Sequence, residues 1–122
     1  MKLKENSSAQ KLRGAYYTPL PLAEMMVKLF AKDKKIKTVL EPSCGDGVFI
    51  DALDDVSMIK QLDNVTGIEI EKTEADKLKN KFKNSEKVNI LNQDFFDYYE
   101  KYDKNKYDLI LGNPPYIRYQ YL

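Results

Sequence analysis

Four residues close to the carboxyl end of the chain, Asn113, Pro114, Pro115 and Tyr116, carry groups that suit one chemistry. Asn113 offers a side-chain amide oxygen, Pro114 offers a carbonyl, and the proline removes a backbone N–H that would compete as a donor. Tyr116 adds a flat aromatic face. A primary amine on a planar ring would donate its two hydrogens to the Asn113 and Pro114 oxygens while the ring stacks on Tyr116. Taken alone, the same four residues also describe a strand that ends in a proline-rich turn.

A second group surrounds a glycine turn, Glu41-Pro42-Ser43-Cys44-Gly45-Asp46-Gly47-Val48-Phe49. Glu41 and Asp46 flank the glycines, so a dinucleotide pyrophosphate would meet anions where nucleotide folds normally offer bare backbone N–H groups. A ligand with an ammonium and a sulfonium is favoured instead. Gly45 and Gly47 are also ordinary turn residues, and Cys44 also suits a small buried filler. Glu69 lies roughly 20 residues beyond the turn, the separation at which an acid reaches ribose hydroxyls in such folds. Glu71 reads as solvent-facing. Asp94 is able to accept from an adenine amino group with Phe95 against the ring, although a helix cap and a core aromatic are the commoner roles for such a pair.

These groups need a scaffold, and the hydrophobic pattern supplies one. Leu22, Met25, Met26, Leu29 and Phe30 follow helical spacing and predict a core-facing stripe, with Thr18 as N-cap and Pro19 at the first helical position. Ile36 to Leu40 predicts a first strand running into the glycine turn, and Ile50 and Leu53 mark the helix after it. Val65 to Ile70 predicts a second strand. Ala75, Leu78 and Phe82 mark a second helix with lysines over its outer face. Val88 to Leu91 predicts a third strand, Asn92 to Phe96 a turn, and Tyr98, Tyr99 and Tyr102 amphipathic packing ahead of a loop at Asp103 to Lys106. Leu109, Ile110 and Leu111 predict a fourth, buried strand stopped by Gly112 and the prolines. The expected architecture is α/β, an open parallel sheet of order 3-2-1-4, with every candidate residue just past the carboxyl end of a strand.

Composition narrows the function classes. A chain of 122 residues with a net charge of +1 has room for one domain and carries no strong global field for nucleic acid. One cysteine and no histidine leave no intramolecular disulfide, no zinc cluster and no Ser-His-Asp or Cys-His catalysis. No apolar run reaches membrane-span or signal-peptide length, so the expected location is cytoplasmic and away from membranes. Residues 1–14 are polar and aperiodic, and read as a flexible arm in which Lys11 and Arg13 are either solvated or touch a phosphate.

In order, Tyr17-Thr18-Pro19, the Glu41 to Phe49 loop, Gly67-Ile68-Glu69, Asp94-Phe95 and Asn113-Pro114-Pro115-Tyr116 resemble the N-terminal half of adenine-N6 DNA methyltransferases. The resemblance implies a Rossmann-like class I methyltransferase fold over residues 15–122, with S-adenosyl-L-methionine as cofactor. It implies that Thr18 and the residues of the glycine loop (Glu41, Pro42, Ser43, Cys44, Gly45, Gly47) hold the methionine part. Glu69 would then bind the ribose, Asp94 and Phe95 the adenine, and Asn113 to Tyr116 the flipped base. Asn-Pro-Pro-Tyr also occurs in enzymes acting on protein glutamine or on RNA, and Ile117 keeps the former open. The Tyr-Thr-Pro element and the form of the glycine loop look like the DNA enzymes. Because the family, which serves in many restriction-modification and phage-defence systems, has further strands and a DNA target-recognition region beyond the Asn-Pro-Pro-Tyr loop, the chain is expected to be a truncated product, a fragment or one half of a split enzyme, inactive on DNA alone. Its expected partners are DNA, the C-terminal half, and a specificity or nuclease subunit. A non-catalytic Rossmann-like binding or assembly module and a dehydrogenase-type domain are the readings from other classes.

Overall fold

A computed structural model describes residues 18–102 and 107–112. Four parallel strands, β1 (Thr38–Glu41), β2 (Asn64–Ile68), β3 (Val88–Leu91) and β4 (Leu109–Ile110), form one sheet in the order β3-β2-β1-β4. Helix α1 (Leu20–Lys28) precedes β1, α2 (Val48–Asp55) joins β1 to β2, α3 (Lys72–Lys81) joins β2 to β3, and α4 (Phe95–Tyr102) follows β3. A 3-10 turn at Met58–Gln61 closes the first crossover. The sequence-based order and the topological switch between β1 and β4 are as expected.

Side-chain alternation sorts the helices between the two faces. Val39, Val65, Ile90 and Leu111 point to a core shared with Ala23, Val27, Phe49, Ile50, Leu53, Ala75 and Leu78, so α1, α2 and α3 cover that face. Leu40 and Ile68 point to the opposite face, where Tyr98 of α4 covers them. The chain explains the split. It steps outward from β1 to β3 and then reverses past β1 to β4, so crossovers of one hand must change face at the reversal. Strand β4 is short, and Asp108 pins its entry: its carboxylate accepts from the N–H groups of Lys37 (2.7 Å) and Thr38 (3.1 Å), while its own N–H donates to the Thr38 carbonyl (3.1 Å). Ile110 on the outer strand is 61% exposed.

Several expectations about the elements are corrected. Thr18 is not the helix cap. Pro19 occupies that position and no side chain caps the helix, so the first turn begins one residue later than expected. The stripe of Leu22, Met25, Leu29 and Phe30 does not face the core, since Met25 is 62% and Leu29 is 75% exposed. Ala23 and Val27 are buried instead, with Met26 packed beside them, and α1 lies against α2. The run Leu20 to Leu29 is apolar in two registers one residue apart, and the smaller side chains permit the closer approach to α2. The turn expected at Asn92 to Phe96 passes directly into α4, a helix the sequence reading left as unassigned amphipathic packing. Within it Tyr98 is buried, whereas Tyr99 is exposed. The first strand begins two residues later than expected and includes Glu41. The arm at residues 1–14, Tyr17, the side chain of Tyr102, the 103–106 loop and Asn113, Pro114, Pro115, Tyr116 and Ile117 lie outside the described residues.

Candidate functional site

The parallel strands end on one rim, and the first component there is Glu41, the last residue of β1. It is 2% exposed, and its Oε1 accepts from the Ser43 N–H at 2.9 Å. Burial, joined by the neighbouring charges of Glu69 and Asp46 and opposed by that hydrogen bond, pushes its carboxyl up to about 8. Across the switch point stands Gly112. A Cβ on Gly112 would lie 2.9 Å from the Glu41 Oε1, so the glycine leaves room for the carboxyl group. Glu41 therefore touches both the glycine turn and the residue immediately before Asn113.

Glu69 ties the second strand to the turn. It is 8% exposed; Oε1 accepts from the Gly45 N–H at 3.0 Å and Oε2 from the Glu71 N–H at 2.9 Å. The Asn92 amide, just past β3, donates to the carbonyls of Glu69 and Ile70, both at 2.9 Å, and fixes the backbone carrying that carboxylate. Each Glu69 oxygen has a second lone pair, so two further donors such as adjacent hydroxyls can still be accepted.

The turn itself is short of donors. The N–H of Ser43 goes to Glu41, that of Cys44 to the Ile68 carbonyl (2.8 Å), that of Gly45 to Glu69, that of Gly47 to the Cys44 carbonyl (2.9 Å) and that of Val48 to Asp46 (3.2 Å). Positive φ at Gly45 (59°) and Gly47 (80°) folds the loop tightly enough to do this. A phosphate binds a glycine turn through such amides. Here these five are spent internally, and the side chains gathered at the rim are acids. That disfavours a dinucleotide and suits a ligand with positive charge and hydroxyl donors.

The remaining expected residues divide. Pro42 and Ser43 are half-buried in the turn. Cys44 is buried with its Sγ 2.9 Å from where a Gly67 Cβ would stand, so its thiol belongs to the core and only its backbone can face a ligand. Burial and the surrounding acids push that thiol well above its ordinary range. Asp94 sits on the rim past β3, where Oδ1 accepts from the Phe96 N–H at 2.8 Å, the capping role for α4. Phe95 is half-buried against the Leu40, Ile68 and Tyr98 cluster. Glu71 is exposed as expected. Thr18 makes no hydrogen bond to the turn among the described residues. The structure thus joins Glu41, Ser43, Gly45, Glu69 and Gly112 and sets Asp94 on the same rim.

Sequence reasoning missed Asn92, Gly112 as a contact of Glu41, and Ile70. Ile70 is 63% exposed directly after Glu69, an apolar surface available to a flat ring. The sequence reading counted Ile70 as the end of the second strand, whereas β2 stops at Ile68 and leaves it beyond the sheet.

The chain is similar to known proteins over most of its length. A family model described as N-6 DNA Methylase matches residues 2–121. The type II methyltransferase M.AccI of Acinetobacter calcoaceticus is 41% identical over 110 residues, covering 90% of this chain and 19% of that protein. M.HincII of Haemophilus influenzae, also a type II methyltransferase, is 35% identical over 109 residues, covering 89% and 18%. The chain spans about a fifth of the length of these curated relatives. Among solved structures, a Pyrococcus horikoshii protein assigned as an RNA methyltransferase superposes with a TM-score of 0.62 at 20% identity, over 83% of this chain and 48% of that one. A Haemophilus influenzae protein assigned as a methylase gives 0.61 at 20% identity, over 79% and 55%. At that identity the structural likeness carries the fold.

Proposed function

We propose, from the premise that the chain belongs to the N-6 DNA methylase family, that it is the cofactor-binding part of a DNA adenine-N6 methyltransferase of a restriction-modification system. The observation that carries this reading is the rim itself: the acidic side chains of Glu41, Glu69 and Asp94 stand at the strand ends, and the N–H groups of Ser43, Cys44, Gly45, Gly47 and Val48 in the glycine turn are engaged within the protein. S-adenosyl-L-methionine would supply a methyl group on a sulfonium, and its charge and hydroxyls fit this acceptor-rich donor set. Glu41 and the backbone of Pro42 to Gly47 would hold its amino-acid part, with Thr18 contributing from before α1. Glu69 would accept from the ribose hydroxyls, Asp94 from the adenine amino group, and Ile70 and Phe95 would border the ring.

Asn113 and Pro114 would then take the hydrogens of the target amine, which favours an available lone pair on a nitrogen otherwise conjugated with its ring. Tyr116 would stack on the base once it has left the duplex, and Pro115 would keep the loop stiff. Gly112 stands beside Glu41, and through it this loop would be joined to the glycine turn. The family model is described as an N-6 DNA methylase and the relatives reported above are type II methyltransferases, which favours DNA over protein glutamine or RNA as substrate.

Calorimetry tests the reading. The chain is expected to bind S-adenosyl-L-methionine and not NAD, and Glu69→Ala and Asp94→Ala are each expected to weaken binding by more than ~1 kcal/mol, because the lost acceptors are charged. Equal affinity in all three proteins removes the assigned roles. No affinity in the parent chain would leave the non-catalytic module.

A further inference from the structure

The lysines of α3 read from the sequence as a solvated outer face, but one of them turns inward to the glycine loop. Lys81, at the end of α3, donates from Nζ to the Asp46 carbonyl at 3.0 Å and pairs with the Asp51 carboxylate of α2. The same peptide, Asp46–Gly47, donates its N–H to the Cys44 carbonyl at 2.9 Å. It is therefore held at both ends. Leu78 and Phe82 close the third side: a Cβ on Gly47 would lie 2.9 Å from Leu78 Cδ2 and 2.8 Å from Phe82 Cε2. Phe82 also steadies the lysine, whose Nζ lies 5.2 Å from the ring centroid. Within the turn the Asp46–Gly47 peptide is thus oriented by an element 35 residues away in sequence.

We propose that Lys81 is a positioning residue for ligand binding, which sets the glycine turn from beneath by orienting the Asp46–Gly47 peptide. It does not touch the ligand. This deepens the proposed function and rests on it for the identity of the ligand, S-adenosyl-L-methionine.

Charge and position make opposite predictions here. Lys81 is a cation behind a rim built for a cation, so by charge alone its removal strengthens binding of the sulfonium. By position its removal lets the turn relax and weakens binding. The demethylated thioether form of the cofactor has lost the sulfonium charge and carries no net charge, so it separates the two effects.

The experiment compares the full chain with Lys81→Met, Lys81→Arg and Asp51→Asn, using calorimetry with both ligand forms and amide hydrogen exchange without ligand. Lys81→Met is expected to weaken both forms by the same factor, roughly three- to tenfold, the scale of one hydrogen bond. It is also expected to speed exchange at Gly45, Gly47 and Val48 while exchange in the β2 amides is unchanged. Lys81→Arg is expected to restore most of both, and Asp51→Asn to change little because the bond to Asp46 remains. Unchanged affinity with unchanged exchange in Lys81→Met overturns the proposal. Tighter binding of the charged form alone also overturns it and assigns Lys81 a purely electrostatic effect. If the parent chain binds neither form, the methyltransferase reading falls and the exchange comparison still decides whether Lys81 holds the turn.

Discussion

Replacing Glu41 with glutamine gives the sharpest test of the electrostatics at the rim. The side chain keeps its volume, and an oxygen can still accept the Ser43 N–H. What disappears is the titration. An acid whose carboxyl is pushed from 4.5 to about 8 in the fold keeps its proton over that window, while the unfolded chain has released it. Stability from this group is therefore fully present below about pH 4.5, falls as the pH rises, and levels off above about pH 8. Each pH unit inside the window removes about 1.4 kcal/mol, so about 2 kcal/mol is lost by about pH 6. Urea unfolding followed by circular dichroism from about pH 5 to about pH 8 is the assay. The difference in stability between Glu41→Gln and the parent is expected to widen in the variant's favour by about 1.4 kcal/mol per unit. Parallel stability curves would refute the assignment of the titration to Glu41. A second readout follows from the same physics: a cation bound beside Glu41 favours its ionised form, so cofactor binding near neutral pH should release a proton. Calorimetry in buffers of different ionisation enthalpy should detect that release in the parent and lose it in Glu41→Gln.

Two further outcomes are expected. Gly112→Ala should cost about 1–3 kcal/mol in urea unfolding, because its Cβ must displace a buried carboxyl; in a Glu41→Ala background the penalty should largely vanish, and full additivity would deny the contact. Cys44 should resist an aromatic disulfide reagent at about pH 8 and react only as the chain unfolds, whereas labelling at the rate of a free peptide thiol would contradict its burial.

The positions of the glycine turn and of the acids at the strand ends were legible in the sequence because their signals are local. A glycine turn between an acidic strand end and a helix, and an acid past the next strand, are sequence patterns with a direct backbone meaning. The order of the strands followed from the same source, since one-handed crossovers leave few arrangements open to this succession of elements. Helix α1 shows where local signals stop. Two apolar stripes overlap there, and nothing in the spacing decides that Ala23 and Val27 take the core while Met25 and Leu29 stay outside. That choice belongs to the surface of α2.

Which residue types stand at the ends of the strands follows from local pattern, because strand periodicity and turn chemistry act over a few residues. How those residues are used follows from packing across the fold. Burial between β1 and β4 turned Glu41 from a flanking acid into a proton-holding contact of Gly112, and the end of α3 turned Lys81 from a surface charge into the support of the turn. Desolvation and close approach depend on what the fold brings alongside, so these roles have no signature in the neighbouring sequence.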